Sequence, residues 1–238
     1  DLHSFPTRRS SDLHIGHEWM GHVSAVGSGV TTIREGDRVS IGVAPPCGRC
    51  SMCRRGHPSH CESVYASLCG VDPAAPPHGG FARAIAVSAE RVYPVDAALP
   101  DRAAAMLEPM AVAAHAVRRT PMRRGDTVVV VGGGPLGLLV MQCARAAGAG
   151  AICLVEPQPA RLNKGRLLGA DALIDPDRED TREAVRRFCG TKGVDVVFEC
   201  AGGRGTLQDA TRLARRGGVV SLVGIYMEIG RASCRERV

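Results

Sequence analysis

Four cysteines, Cys47, Cys50, Cys53 and Cys61, occupy the run CGRCSMCRRGHPSHC at the spacing C-x2-C-x2-C-x7-C. Thiolates this close suit a tetrahedral zinc ion, because short turns let successive sulfurs converge on one centre. Four sulfur ligands leave no open position, so such a site supports a loop and performs no chemistry. Two other readings stand beside it. One is four unliganded thiols. The other is a nucleic-acid zinc finger beside Arg54, Arg55 and His57, which lacks the recognition helix that a finger needs. His57 and His60 are alternative ligands that the fourth cysteine makes unnecessary.

A second constellation is the run VVVVGGGPLGLL, in which Gly132, Gly134 and Gly137 form G-x-G-x-x-G, with Pro135 and Leu136 opening the following helix. The first glycine permits a tight turn, the second lets a pyrophosphate reach backbone N–H groups, and the third lets the helix pack closely on its strand. The pattern alone is weak, but the next apolar run ends in Glu156 at about the interval of a ribose-binding carboxylate. A carboxylate there accepts hydrogen bonds from both ribose hydroxyls and repels a 2'-phosphate, which favours NAD over NADP. The competing reading makes Glu156 a solvent-facing strand end. Arg161 either lies against the adenosine or is an ordinary exposed helical arginine.

These residues need elements to position them. From Ile15 to about Pro100, short strand-like runs are punctuated by glycine, with strands expected at 21–26 and 38–43 and a small barrel as their usual closure. Residues 101–120 have helical propensity, with a break or a new start at Pro109. Strands are then expected at 127–131, 151–156, 172–174, 194–199 and 218–222, alternating with helices at 135–147, 159–168, 179–188 and 207–215. That alternation implies βαβ units and a parallel sheet. The fold class expected is a two-domain chain. Residues 14–120 form the first domain with its cysteine lobe, and 121–238 form an α/β dinucleotide-binding domain that ends without a final unit.

The composition, 45% hydrophobic and 23% charged, is that of a globular protein. A net charge of +6 suits a nucleotide as well as a larger polyanion, or no anionic partner at all. No apolar run is long enough to span a bilayer, and no secretory leader is visible, so the expectation is a cytoplasmic protein without membrane or nucleic-acid partners. Cys143, Cys153, Cys189 and Cys200 fall inside apolar segments and read as small core residues in a reducing compartment. The segment SFPTRRSSDL, Ser4 to Leu13, has no structural period and matches one reading frame of a common sequencing adapter. Residues 1–13 are therefore set aside as artefactual.

Taken together, GHEWMGHVSAVG, GDRV, the cysteine run, GGFA and VGGGPLG resemble zinc-dependent medium-chain dehydrogenases across nearly all of Gly16 to Gly224. The phrase EPMAVAAHAV is similar to the sorbitol, threonine and 2,3-butanediol dehydrogenase branch. The resemblance implies a GroES-like barrel followed by a Rossmann domain, with a structural zinc on the four cysteines and a catalytic zinc elsewhere. His17 would be a catalytic-zinc ligand, with Glu18 and Glu108 as ligands or close partners of that metal. Spacing alone leaves His17 open as a turn histidine and Glu18 as an ion-pair partner. The implied activity is hydride transfer between NAD and a polyol, diol or other secondary alcohol, or the matching ketone, in a homodimer or homotetramer. Threonine-type dehydrogenation and a noncatalytic zinc-stabilised nucleotide binder are the alternatives.

One feature departs from that pattern. The family contributes an earlier cysteine in a C-G-[ST]-D-x-H stretch, whereas no cysteine precedes Cys47 here. With that ligand and its proton relay missing, and both ends read as truncated, the expectation is little or no turnover by this chain.

Overall fold

The structure, a computed structural model, describes residues 16–42, 46–63, 80–190 and 193–226. The adapter-like segment, His14 and the C-terminal stretch after Tyr226 lie outside the described residues. The chain divides into two compact units, Asp1–Glu108 and Pro109–Val238, a division earlier than the 120/121 boundary expected from sequence.

The first unit carries an antiparallel sheet in the order β1-β2-β3, formed by β1 (Met20–His22), β2 (Arg38–Ile41) and β3 (Val92–Pro94). Val39, Ile41 and Val92 are buried and Tyr93 is exposed, while Ser40 between the two apolar residues of β2 is buried as well and donates to the Trp19 carbonyl. β1 is shorter than the 21–26 run expected, because from Val23 onward the backbone leaves the ladder. Val23 N–H still donates to the Asp37 carbonyl and Gly36 N–H to the Val23 carbonyl, two residues facing one, and no strand follows. Arg38 fastens β2 to the next segment, donating to the carbonyls of Asp96 (2.8 Å) and Leu99 (2.7 Å) and to the Asp101 carboxylate (2.6 Å). Helix α1 (Ser51–Arg54) lies in the cysteine lobe, and α2 (Asp101–Ala104) follows Pro100.

Helix α3 (Leu107–Arg119) starts two residues before Pro109. The proline therefore sits in the first turn, where its missing N–H has no carbonyl to meet, and the helix continues through it. Ala113 and Val117, four apart, are the buried stripe.

The second unit is a five-stranded parallel sheet of β4 (Thr127–Val131), β5 (Ala151–Val155), β6 (Ala172–Ile174), β7 (Val194–Glu199) and β8 (Ala214–Leu222) in the order β6-β5-β4-β7-β8. The central strands are continuous apolar runs because helices cover both faces of such a sheet. Val128, Val129, Val130, Ile152, Leu154, Val197 and Phe198 are all fully buried. Helices α4 (Pro135–Ala146), α5 (Pro159–Leu167), α6 (Thr181–Cys189) and α7 (Thr206–Leu213) make the crossovers. β8 begins four residues before the expected 218, directly after α7, through an irregular step between Val194 and Val196 of its partner. Because β5 and β7 flank β4, the chain changes winding direction there and opens a crevice at the carboxyl ends of those strands.

Candidate functional site

In the cysteine lobe one sulfur from each of Cys47, Cys50, Cys53 and Cys61 lies within 4.8 Å of the others. The Cys50 and Cys61 sulfurs are 4.0 Å apart. Tetrahedral zinc with sulfur at about 2.3 Å needs sulfurs roughly 3.8 Å apart, so a small contraction seats the ion. The turns aim amides at the sulfurs. Cys47 N–H donates to the Cys61 sulfur (3.3 Å), Cys50 N–H to Cys47 (3.4 Å) and Cys53 N–H to Cys50 (3.4 Å). The Cys53 amide is the main reason that the Cys50 thiol is held below its usual range, while loss of water around its sulfur pushes Cys53 up to about 12. The donor set thus fits a metal that binds thiolates. His57 and His60 contribute to no such cluster among the described residues.

A second group in the same unit brings His17, Glu18 and Glu108 together, again with one ligand atom of each within 4.8 Å of the others. His17 and Glu18 occupy the extended segment before β1, and Glu108 lies in the first turn of α3. Burial pushes the Glu108 carboxyl up, opposed by the nearby His17 and reinforced by the like charge of Glu18. One nitrogen and two carboxylates leave a tetrahedral ion an open position, the feature that separates a reactive zinc site from a closed one.

In the second unit a crevice of about 480 Å³ is bordered by Gly132, Gly134, Glu156, Arg161, Cys200 and Thr206. Gly132 has φ +99°, in the left-handed region that glycine tolerates. A Cβ on Gly137 would stand 1.9 Å from the Gly132 carbonyl oxygen, so only glycine lets α4 approach the turn. Around Gly134, by contrast, nothing among the described residues lies within 4 Å of where a Cβ would stand. That opening adjoins the first turn of α4, whose N-cap residue Gly134 supplies no side-chain cap. Free N–H groups at a helix start attract phosphate oxygens, so the loop fits a dinucleotide.

Glu156 is only 3% exposed, which rules out the solvent-facing reading. Its Oε2 accepts from Gly133 N–H (2.7 Å), its Oε1 accepts from Gln158 N–H (2.8 Å), and Arg161 Nη1 stands 3.8 Å from Oε2. Each oxygen keeps a second lone-pair direction for a hydroxyl donor. The sequence reading passed over Glu199, which ends β7 as Glu156 follows β5. It is fully buried, and its Oε1 accepts from the N–H groups of Ala201 and Gly202, both at 3.0 Å. Its position at a strand's carboxyl end was the available signal. Pro135 and Leu136 lie in the first turn of α4, as expected.

Residues 1–97 match the alcohol dehydrogenase GroES-like domain family, and residues 135–234 match the zinc-binding dehydrogenase family. The chain is 34% identical over 232 residues to sorbitol dehydrogenase of Bacillus subtilis, covering 94% of this chain and 64% of that protein. It is 35% identical over 212 residues to L-threonine 3-dehydrogenase of Pyrococcus abyssi, covering 89% and 59%. Among solved structures, a zinc-binding dehydrogenase from Sinorhizobium meliloti bound to NADP superposes with a TM-score of 0.83 at 32% identity, covering 93% of this chain and 64% of that one. The chain therefore spans less than two thirds of the length of these relatives, 59% to 64%. Among the described residues no helix is long and apolar enough to cross a membrane.

Proposed function

The chain belongs to the zinc-binding medium-chain dehydrogenase/reductase family, and from that premise we propose that the whole protein moves a hydride between a secondary alcohol, a polyol or diol, and NAD. The observation that carries this is the open cluster of His17, Glu18 and Glu108, distinct from the closed cysteine site. In this reading the first domain, 14–120, closes as a GroES-like barrel, and 121–238 is the Rossmann domain. The assembly is a homodimer or homotetramer.

Cys47, Cys50, Cys53 and Cys61 hold a structural zinc that fixes their lobe. His17 supplies a nitrogen ligand to a second zinc, and Glu18 and Glu108 complete or support that set. Bound zinc there supplies Lewis-acid polarisation of the substrate oxygen, and nicotinamide supplies the hydride acceptor. Burial raises the Glu108 carboxyl, and the positive charge of a bound metal would oppose that shift and favour the carboxylate. In the crevice, the backbone N–H groups of Gly134 and Leu136 orient the pyrophosphate, and Pro135, which has no N–H, opens the helix between them. Gly132 and Gly137 let the backbone make that turn. Glu156 accepts from the ribose hydroxyls, its burial excludes water from those bonds, and its charge disfavours a 2'-phosphate. Arg161 lies against the adenosine.

The test, made on the whole protein because this chain by itself is expected to turn over little or nothing, is zinc stoichiometry together with NADH formation on butane-2,3-diol, sorbitol and threonine. Two zincs per chain, falling to one in His17→Ala, and NADH from the diol or polyol are the expected results. NADH from threonine alone moves the substrate to the amino-alcohol class. A single zinc with NAD binding but no NADH from any of the three replaces the proposal with a noncatalytic nucleotide binder.

A further inference from the structure

At the amino ends of β7 and β8, a second cavity of about 140 Å³ opens between α6, α7 and the start of β8. Five arginines line it, Arg182 and Arg186 from α6, Arg212 from α7, and Arg215 and Arg216 from β8, and no carboxylate does. Two of the five have partners, Arg215 with Asp195 (2.6 Å) and the exposed Arg212 with Asp209 (3.3 Å). Arg182, Arg186 and Arg216 make no side-chain ion pair among the described residues. Arg182 and Arg186 stand at i and i+4 on one helix, where like charges repel instead of supporting the helix. The arrangement gathers uncompensated positive charge around a concavity. Guanidinium groups present planar forks of N–H donors that match phosphate oxygens in pairs.

The geometry points to a binding site for a small phosphate-bearing anion, a phosphate monoester or free phosphate, at this arginine pocket. Its volume is roughly four or five times that of a liquid water molecule, which accommodates one phosphate group and leaves an esterified remainder outside. Two phosphate oxygens bridge the α6 pair, and Arg216 closes the third side. Arg215, held by Asp195, supplies a fixed edge. The anion relieves the repulsion between α6 and the start of β8, so binding stiffens the junction of these elements.

The experiment is calorimetric titration of the chain with inorganic phosphate and, separately, with phenyl phosphate at low ionic strength, where charge attraction is least screened. It compares the wild type with R182Q/R186Q, with R216Q, and with R161Q/R166Q, a control that removes equal charge from α5. Loss of affinity by at least about tenfold in R182Q/R186Q, a smaller loss in R216Q and none in R161Q/R166Q is the expected result, following the strength of charge-assisted bonds. Binding of phenyl phosphate as tightly as phosphate identifies an ester as ligand, whereas binding of phosphate alone identifies the free ion. Equal affinity in R182Q/R186Q and wild type, loss only in R161Q/R166Q, or no heat with either probe at millimolar concentration overturns the proposal. Arg182, Arg186 and Arg216 are exposed, so the substitutions leave the core intact, and an unchanged melting temperature without phosphate verifies this.

Discussion

The two units reach stability by different routes. The parallel unit has a continuous apolar core in which Val128, Ile152, Leu154, Val194 and Phe198 exclude water entirely. The antiparallel unit has strands of three or four residues, an almost fully buried Arg91, and a cavity of about 450 Å³ bordered by Val23, Val26, Val30 and Ile33 together with His22, Ser24 and Arg83. Its organisation leans on polar fastenings, the three bonds of Arg38 and the four converging sulfurs. Burial of this kind is nondirectional and tolerates small shifts, whereas a ligand cluster either has its ion or collapses. The proposed catalytic ligands His17, Glu18 and Glu108 sit in the less self-sufficient unit and the proposed cofactor loop in the more self-sufficient one.

Chelation of zinc breaks the comparison most sharply. Structural zinc sites contribute roughly 10–16 kcal/mol of apparent binding free energy, and that contribution is local. After treatment with a strong chelator, amides of residues 46–63 are expected to lose hydrogen-exchange protection while those of β4 and β7 retain theirs. Equal loss of protection in both units would mean that the parallel core is not independent of the metal. Because Cys53 must lose a proton from a thiol pushed up to about 12, zinc affinity is expected to fall as pH falls.

Phe198→Ala attacks the other side. Removing a fully buried aromatic from β7 leaves a cavity and is expected to cost about 3–5 kcal/mol in denaturant unfolding of the second unit. Zinc content, by contrast, is expected to stay unchanged. Gly137→Ala follows at about 1–3 kcal/mol for forced overpacking, because its Cβ would meet the Gly132 carbonyl at 1.9 Å. Its sharper effect is on NAD, whose affinity, measured by calorimetry, is expected to drop at least about tenfold as the loop is displaced.

The same contrast explains what the sequence revealed. Parallel strands buried on both faces are apolar runs bounded by glycine, so residues 127–131, 172–174 and 194–199 are legible to the residue. β8 is different. Its opening residues Ala214, Arg215 and Arg216 carry no strand signal and are drawn into the ladder only through pairing with Val194. The 21–26 alternation likewise gives out at Val23, where Gly36 and Asp37 together face one residue and the ladder ends. At the sites, the cysteine cluster was readable because its ligands are close in sequence. The meeting of His17 and Glu18 with Glu108 spans about ninety residues and came from the family resemblance alone. Glu156 was found by interval, but its bond to Gly133 depends on the folded loop. The arginine pocket was invisible because three separate elements assemble it.

Asp195 supplies the smallest and most discriminating test, since it is a polar fastening inside the apolar unit. Its Oδ2 accepts from the N–H and the hydroxyl of Thr127, each at 2.8 Å, and its Oδ1 accepts from Arg215 Nε at 2.6 Å, tying β7 to both β4 and β8. Burial alone pushes this carboxyl up, but the Arg215 bond and the two Thr127 bonds together outweigh it and hold the carboxyl below the ordinary aspartate range. A lowered folded-state pKa means that the unfolded chain takes up the proton first as pH falls. The stability that Asp195 contributes is therefore full above the unfolded value of about 3.9 and is lost as pH drops through the lower folded value. Asp195→Asn is expected to cost about 1–2 kcal/mol at neutral pH, since it keeps an acceptor for Thr127 but removes the charge facing Arg215. It should also flatten the acid limb of the stability curve, measured by denaturant midpoints between pH 6 and pH 3. If the variant loses stability in parallel with the wild type across that range, the acid sensitivity of the unit lies elsewhere. Asp171 is then the group to replace, because it is also held low and accepts from Ile152 N–H at 2.7 Å.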